Sequence, residues 1–170
     1  MIKTIKISVI LISISILFFS TSCDLTNNVP DRTAATEQQE LNEAIAKLEK
    51  ANYNVDTTQL GVFYILNKPG TGAYPQKSDT CYLIYTGFFL NGIIFDASAN
   101  FAQDSIWKFY YQEISLIPGF NNGVALLNKG AEANIIIPSS LAYGASGYGD
   151  IPPYTPLVFS LKMKDLRPKK

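Results

Sequence analysis

The sequence predicts an α+β domain, an antiparallel sheet with one short helix, preceded by a separate N-terminal helix. Three observations predict it. Over residues 157–163, Leu157, Phe159, Leu161 and Met163 alternate with Val158, Ser160 and Lys162, the period of a strand with one buried face. Asn91-Gly92 sits between the apolar runs 80–90 and 93–95, a tight-turn pair that folds two strands into a hairpin. Residues 36–53 instead place Leu41, Ala44, Ile45 and Leu48 on one helical stripe.

Composition allows one domain and removes whole classes of chemistry. Nearly half the 170 residues are hydrophobic, enough for a real core, and 14 basic residues balance 14 acidic ones. No basic excess argues for a nucleic-acid partner. There is no histidine. That excludes imidazole-dependent triads, His-based zinc sites and histidine acid–base catalysis. The expectation is an activity with no metal and no cofactor.

Residues 1–22 read as a leader. Lys3 and Lys6 precede an apolar run over residues 7–19, and Ser20, Thr21 and Ser22 precede Cys23. The run is short for a bilayer span and has no stop-transfer flank, so it reads as an export signal. Small residues before a cysteine resemble a bacterial lipoprotein signal, which implies lipidation of Cys23. Such signals favour Leu where this chain has Ser20, and plain signal-peptidase cleavage stays open. The expected place is the bacterial cell envelope, anchored by lipid to a membrane, with the outer membrane first, and facing the periplasm or exterior. With Cys23 lipidated, Cys81 is the remaining thiol and no internal disulfide forms. Cys81 lies in an apolar strand-like run, where a buried thiol acts as a small hydrophobe.

The rest follows in chain order. Residues 23–35 are polar, carry Pro30 and read as a tether. Residues 36–54 read as a helix: Thr36 with Gln39 as capping box, Glu37 and Glu40 early, Lys47 and Lys50 late, Glu43 paired with Lys47. Its stripe docks on the domain or on a partner subunit. Strands are expected at residues 60–66, 80–90, 93–95, 104–111, 131–138 and 157–163, with a short helix over residues 119–127 closed by Lys129-Gly130. Between the last two strands lies Leu141-Ala142-Tyr143-Gly144, a loop with Gly147 and Gly149, then Ile151-Pro152-Pro153. A segment so rich in Gly and Pro is neither helix nor ladder, yet it carries Tyr143, Tyr148, Ile151 and Tyr154. Such a loop is either a plain turn or the lining of a site. A phosphate loop is disfavoured by the Ile-Pro-Pro that follows and by the lack of Lys.

Three motifs in order resemble the FKBP-type peptidyl-prolyl isomerases. They are Tyr85-Thr86-Gly87 continuing to Phe95-Asp96, the Leu116-Ile117-Pro118-Gly119-Phe120 entry to the short helix, and Leu141 to Pro153 before the Leu157-Val158-Phe159 strand. The resemblance spans residues 60–168. It implies an FKBP-like sheet wrapped around the short helix and a pocket for a prolyl ring. By the same resemblance Tyr85, Phe95, Asp96, Tyr143 and Phe159 form the catalytic set. Trp107, Leu116, Ile117, Phe120, Tyr148 and Ile151 hold substrate. Asp96 is expected to hydrogen-bond Tyr143, and the Tyr143 hydroxyl and Ile151 N–H to hold substrate carbonyls. Three departures stand out: Ala97 replaces the usual Ser after Asp, Phe120 replaces the usual Trp at the floor, and Tyr148 occupies a loop position that varies within the family.

Read without the resemblance, the aromatic residues also fit a plain core, and Asp96 a turn cap. Three functions therefore remain. The first is acceleration of X-Pro isomerisation in exported polypeptides. The second is a non-catalytic chaperone or proline-peptide binder, and the third a structural envelope lipoprotein.

Overall fold

A computed structural model describes residues 32–170. The leader, Cys23 and nearly all of the tether lie outside the described residues. The chain forms helix α1 (Ala34–Lys50), strands β1 (Asp56–Thr57), β2 (Phe63–Lys68), β3 (Thr80–Phe88), β4 (Ile94–Ala97) and β5 (Trp107–Tyr110), helix α2 (Pro118–Val124), then β6 (Glu132–Ile137) and β7 (Leu157–Arg167). The sheet order is β1-β2-β6-β7-β3-β4, with β5 also on β3, and every pairing is antiparallel.

The expected alternation is present. Along β7, Leu157, Phe159, Leu161 and Met163 are buried, and along β3 so are Cys81, Leu83, Tyr85 and Gly87. Their shared face receives α2 through Phe120 and Val124, with Leu127 just after the helix in the same core. Two glycines let that helix settle close: a Cβ on Gly119 would meet Ile137 Cγ2 at 2.2 Å, and one on Gly123 would meet Ile135 Cδ1 at 2.3 Å. Cys81 is fully buried in this core, and burial, with Asp79 nearby, pushes its thiol up to about 12. It stays protonated and inert at neutral pH.

Several boundaries differ from expectation for identifiable reasons. The helix starts earlier because Thr33, not Thr36, is its N-cap. Thr33 Oγ1 accepts from Thr36 N at 3.2 Å and Thr36 Oγ1 accepts from Thr33 N at 2.9 Å. The first long strand begins at Phe63 because residues 58–61 form a turn: Gly61 N donates to Thr58 O, with Gly61 at φ 92°. Asp104 is spent on a turn, accepting from Ile106 N, so β5 begins only at Trp107. At the β3–β4 hairpin, Phe89 N donates to Ile93 O and Gly92 N to Phe89 O, with Gly92 at φ 86°. The loop is therefore Leu90-Asn91-Gly92, three residues ending in a left-handed glycine rather than a two-residue Asn-Gly turn.

α1 lies on the domain by its N-terminal half, where Leu41 and the Glu37 carboxylate are buried. No helix among the described residues is long and apolar enough to cross a membrane.

Candidate active site

On the face of the sheet that receives α2 lies a cavity of about 480 Å³. Its lining comes from six places in the chain, brought together by strand pairing. β3 supplies Tyr85, and β4 supplies Phe95 and Asp96. β5 supplies Trp107, and β7 supplies Phe159. Residues 115–117 and Phe120 come from the entry to α2, and Tyr143 and Tyr148 from the glycine loop. Ten of the eleven sequence-expected pocket residues line it. Ile151 is the exception.

The rings stand edge to face, the arrangement their quadrupoles favour. Phe120 meets Phe159 at 5.0 Å and Tyr85 at 5.6 Å, and Phe159 meets Phe95 at 5.6 Å, all T-shaped. Trp107 is held from behind by stacking on Phe109 at 4.3 Å. Phe120, at the expected floor position, is buried. At the rim Tyr148 stacks on Tyr143 at 5.0 Å and is 69% exposed.

Asp96 is the one carboxylate in the lining, and its partner differs from expectation. Its Oδ2 accepts from Tyr85 Oη at 2.6 Å, not from Tyr143, while Oδ1 accepts from Ala97 N at 2.8 Å. Burial first, and then the Asp96 hydrogen bond, push the Tyr85 phenol well above its ordinary range. Tyr143 lies near enough for burial, Tyr148 and Asp96 to raise its phenol too. Its hydroxyl meets no partner among the described residues, and so faces the cavity unspent.

The Ile151 expectation also needs correcting. Its N–H donates to Tyr148 O at 2.9 Å, and Tyr148 N donates back to Ile151 O. Ile151 is buried, props the loop that presents Tyr148, and has no donor free for a ligand. Ile117 does. It lines the cavity, caps α2 ahead of Pro118, and its N–H meets no acceptor among the described residues.

Two serines escaped the sequence reading. Ser115 lines the cavity. Ser98, fully buried, accepts from Tyr85 N at 3.1 Å and donates to Ser105 O at 2.6 Å, pinning the backbone that carries Tyr85. It stands two residues after Asp96, one past the position where the family usually has Ser, which was the available signal. A larger groove of about 760 Å³ runs between α1 and the β3–β4 hairpin. Its walls combine apolar residues, Phe89 among them, with charged groups of both signs, including the Arg32–Glu40 ion pair. No cluster of His, Cys, Asp or Glu among the described residues is placed to hold a metal ion.

A sheet wrapped on a short helix, with an aromatic cavity between them, defines an FKBP-like domain. A model of the FKBP-type peptidyl-prolyl cis-trans isomerase family matches residues 72–164. The chain is 38% identical over 130 residues to a probable FKBP-type isomerase, FkpA, of Neisseria meningitidis, covering 76% of this chain and 46% of that one. It is 33% identical over 140 residues to FkpA of Aeromonas hydrophila, covering 82% and 50%. The crystal structure of Escherichia coli FkpA matches with a TM-score of 0.64 at 29% identity, over 79% of this chain and 62% of that one. A peptidyl-prolyl cis-trans isomerase from Pseudomonas syringae matches at 0.66 and 29%, over 81% and 98%. This chain belongs to the FKBP-type peptidyl-prolyl cis-trans isomerase family. It spans about half the length of the curated relatives it matches.

Proposed function

We propose that this protein accelerates cis–trans isomerisation of X-Pro bonds in exported polypeptides. The observation that carries the proposal is the aromatic cavity in which, among the described residues, the one carboxylate is spent on Tyr85 while the Tyr143 hydroxyl and Ile117 N–H meet no partner. An X-Pro bond has partial double-bond character, and its barrier of ~18–20 kcal/mol makes unaided exchange slow. Twisting the amide breaks resonance, leaving the carbonyl less polar and the nitrogen more pyramidal. A dry aromatic site grips the prolyl ring and favours that less polar, twisted state by differential binding. Phe95, Trp107, Phe120 and Phe159 act as walls and floor, with Leu116 and Ile117 on the aliphatic side. Tyr143 Oη and Ile117 N–H hold substrate carbonyls, and Tyr148 covers the rim. Asp96 fixes the Tyr85 ring by its hydrogen bond. No residue ionises during the step, so the reaction needs no histidine.

A protease-coupled proline-peptide assay tests this. Tyr143→Phe keeps the ring and removes a hydroxyl with no partner among the described residues, so stability should shift by less than roughly 1 kcal/mol. The rate of isomerisation should fall clearly, while the wild-type rate stays flat across neutral pH. A bell-shaped profile near neutrality, or a fully active Tyr143→Phe, would place the chemistry elsewhere. Phe120 at the family's usual Trp position supports a second reading, a chaperone that binds proline segments with little turnover. Saturable peptide binding without acceleration in the same assay would favour it.

We also propose that residues 1–22 are removed and that Cys23 carries a lipid anchor, attaching the protein through the 23–35 tether to the envelope, with the outer membrane as the expected site. The Lys3/Lys6, apolar run and Cys23 order supports this. Stable attachment needs more than one acyl chain, which a lipidated N-terminal cysteine supplies. Cys23→Ser should release the protein from the membrane fraction or block its processing; normal processing with retained membrane binding argues against the anchor.

A further inference from the structure

α1 and Arg32, the residue before its N-cap, touch the domain at the two ends of the loop that presents Tyr143 and Tyr148. At the loop's start, both Glu37 carboxylate oxygens are used on one residue: Oε1 accepts from Ser139 N and Oε2 from Ser139 Oγ, each at 2.5 Å. At its end, Arg32 Nη2 donates to Tyr154 O at 3.0 Å and Arg32 Nε to Pro153 O at 3.2 Å. The same guanidinium grips Glu40, one turn beyond Glu37, through both terminal nitrogens. The loop ends are joined to each other as well. Gly144 N donates to Ser139 O and Tyr154 N to Gly144 O, each at 2.8 Å. The result is a chain of hydrogen bonds, Glu37–Ser139–Gly144–Tyr154–Arg32–Glu40, closed into a circuit by the α1 backbone between Glu37 and Glu40, and Tyr143 is the residue next to its middle.

Two features go beyond what helix docking alone requires. Glu37 is 7% exposed, and a carboxylate is a costly group to bury where a leucine would attach the helix as well. Its fully used oxygens instead fix one orientation of Ser139. Tyr154 sits at φ 49°, a left-handed conformation that a bulky side chain resists and that persists only where surroundings hold it. Its N–H and C=O are both held within this circuit.

We propose that the first two turns of α1, together with Arg32 just before its N-cap, are a positioning element for the active site, with Glu37 and Arg32 acting through the 139–154 loop to set the Tyr143 hydroxyl. The proposal rests on the isomerase reading for its effect on catalysis, while the circuit itself is testable without it. Glu37→Ala should lower kcat/KM by roughly ten- to a hundredfold, because small misplacements of a positioning group are costly. Its effect should be largely absent in a Tyr143→Phe background, since coupled residues are non-additive. Glu37→Gln should restore much of the activity, because its carbonyl still accepts from Ser139 N–H and its amide donates to Ser139 Oγ. Arg32→Ala, at the accessible end, gives the same pattern if Glu37→Ala folds poorly. Met163→Ala, in the core away from the loop, should lower stability but keep kcat/KM in the folded protein. Amide hydrogen exchange at Gly144, Tyr148, Ile151 and Tyr154 should quicken in Glu37→Ala and Arg32→Ala, with sheet amides unchanged. An active wild type matched by both variants, or losses from Glu37→Ala and Tyr143→Phe that simply multiply, would overturn the proposal. An inactive wild type would sink the isomerase reading alone; exchange would then decide the clamp, and unchanged loop amides would reject it.

Discussion

Replacing Gly119 or Gly123 by alanine should destabilise this protein, although alanine within a helix normally gains about 1 kcal/mol over glycine. Both lie in α2, and neither has a left-handed backbone that only glycine would tolerate. The difficulty is space. The added methyl would meet Ile137 at 2.2 Å or Ile135 at 2.3 Å, far inside van der Waals contact. Both isoleucines are fully buried on β6, so neither has open volume to move into. Overpacking of a tight core costs typically about 1–3 kcal/mol, and contacts this short belong at the upper end. The steric loss outweighs the helix gain, leaving each variant about 2 kcal/mol less stable. The urea midpoint should fall with little change in slope. An unchanged or higher midpoint would show that α2 does not rest on β6 at these glycines. The site is involved too, because α2 carries Phe120, and a helix lifted from the sheet lifts the cavity floor.

The strands were readable because one face is buried and the other only half-buried. β3 and β7 show that alternation in their side chains alone. Strand ends were less readable, since side chains outside the pattern set them: Thr58 and Asp104 make turns that shorten β2 and β5. The N-cap of α1 was missed because Thr33 and Thr36 are chemically equivalent candidates, and the reciprocal bond between them decides. The pocket lining was accessible through motif order, for six chain segments meet there only after strand pairing. The Asp96 partner was legible in the hairpin. β3 pairs Gly87 with Asp96, which puts Tyr85 two residues along on the same face, within diagonal reach. The third loop residue shifts the register by one, and the irregularity between Gly87 and Phe88 restores it. The spent N–H of Ile151 was not legible, since it depends on the loop folding back on Tyr148.

Gly87→Ala should remove most of the proposed isomerase activity while leaving a folded protein. Gly87 is the glycine of the Tyr-Thr-Gly motif, and its place in the sheet explains why a side chain is excluded there. A Cβ would meet Phe95 Cζ at 2.7 Å and Phe159 Cε1 at 2.8 Å, so those two rings lie directly across the strand. The backbone of Gly87 is not left-handed, and in a strand alanine would otherwise gain roughly 0.5–1 kcal/mol over glycine. The rings must therefore give way instead. Phe159 is wedged between Phe120, Phe95 and Tyr85, so its displacement spreads through the wall and floor together. Stability should fall by about 1–2 kcal/mol after the backbone gain is counted. The rate should fall further, on the order of a hundredfold, because the cavity acts through ring placement. Adding Phe159→Leu removes one of the two rings that the new methyl meets and leaves the Phe95 contact in place, so it should relieve part of the strain without recovering turnover. The comparison needs chemical denaturation and the proline-peptide assay on the same preparations. If Gly87→Ala folds with displaced rings and still turns over at the wild-type rate, the aromatic cavity is not where the X-Pro bond is twisted.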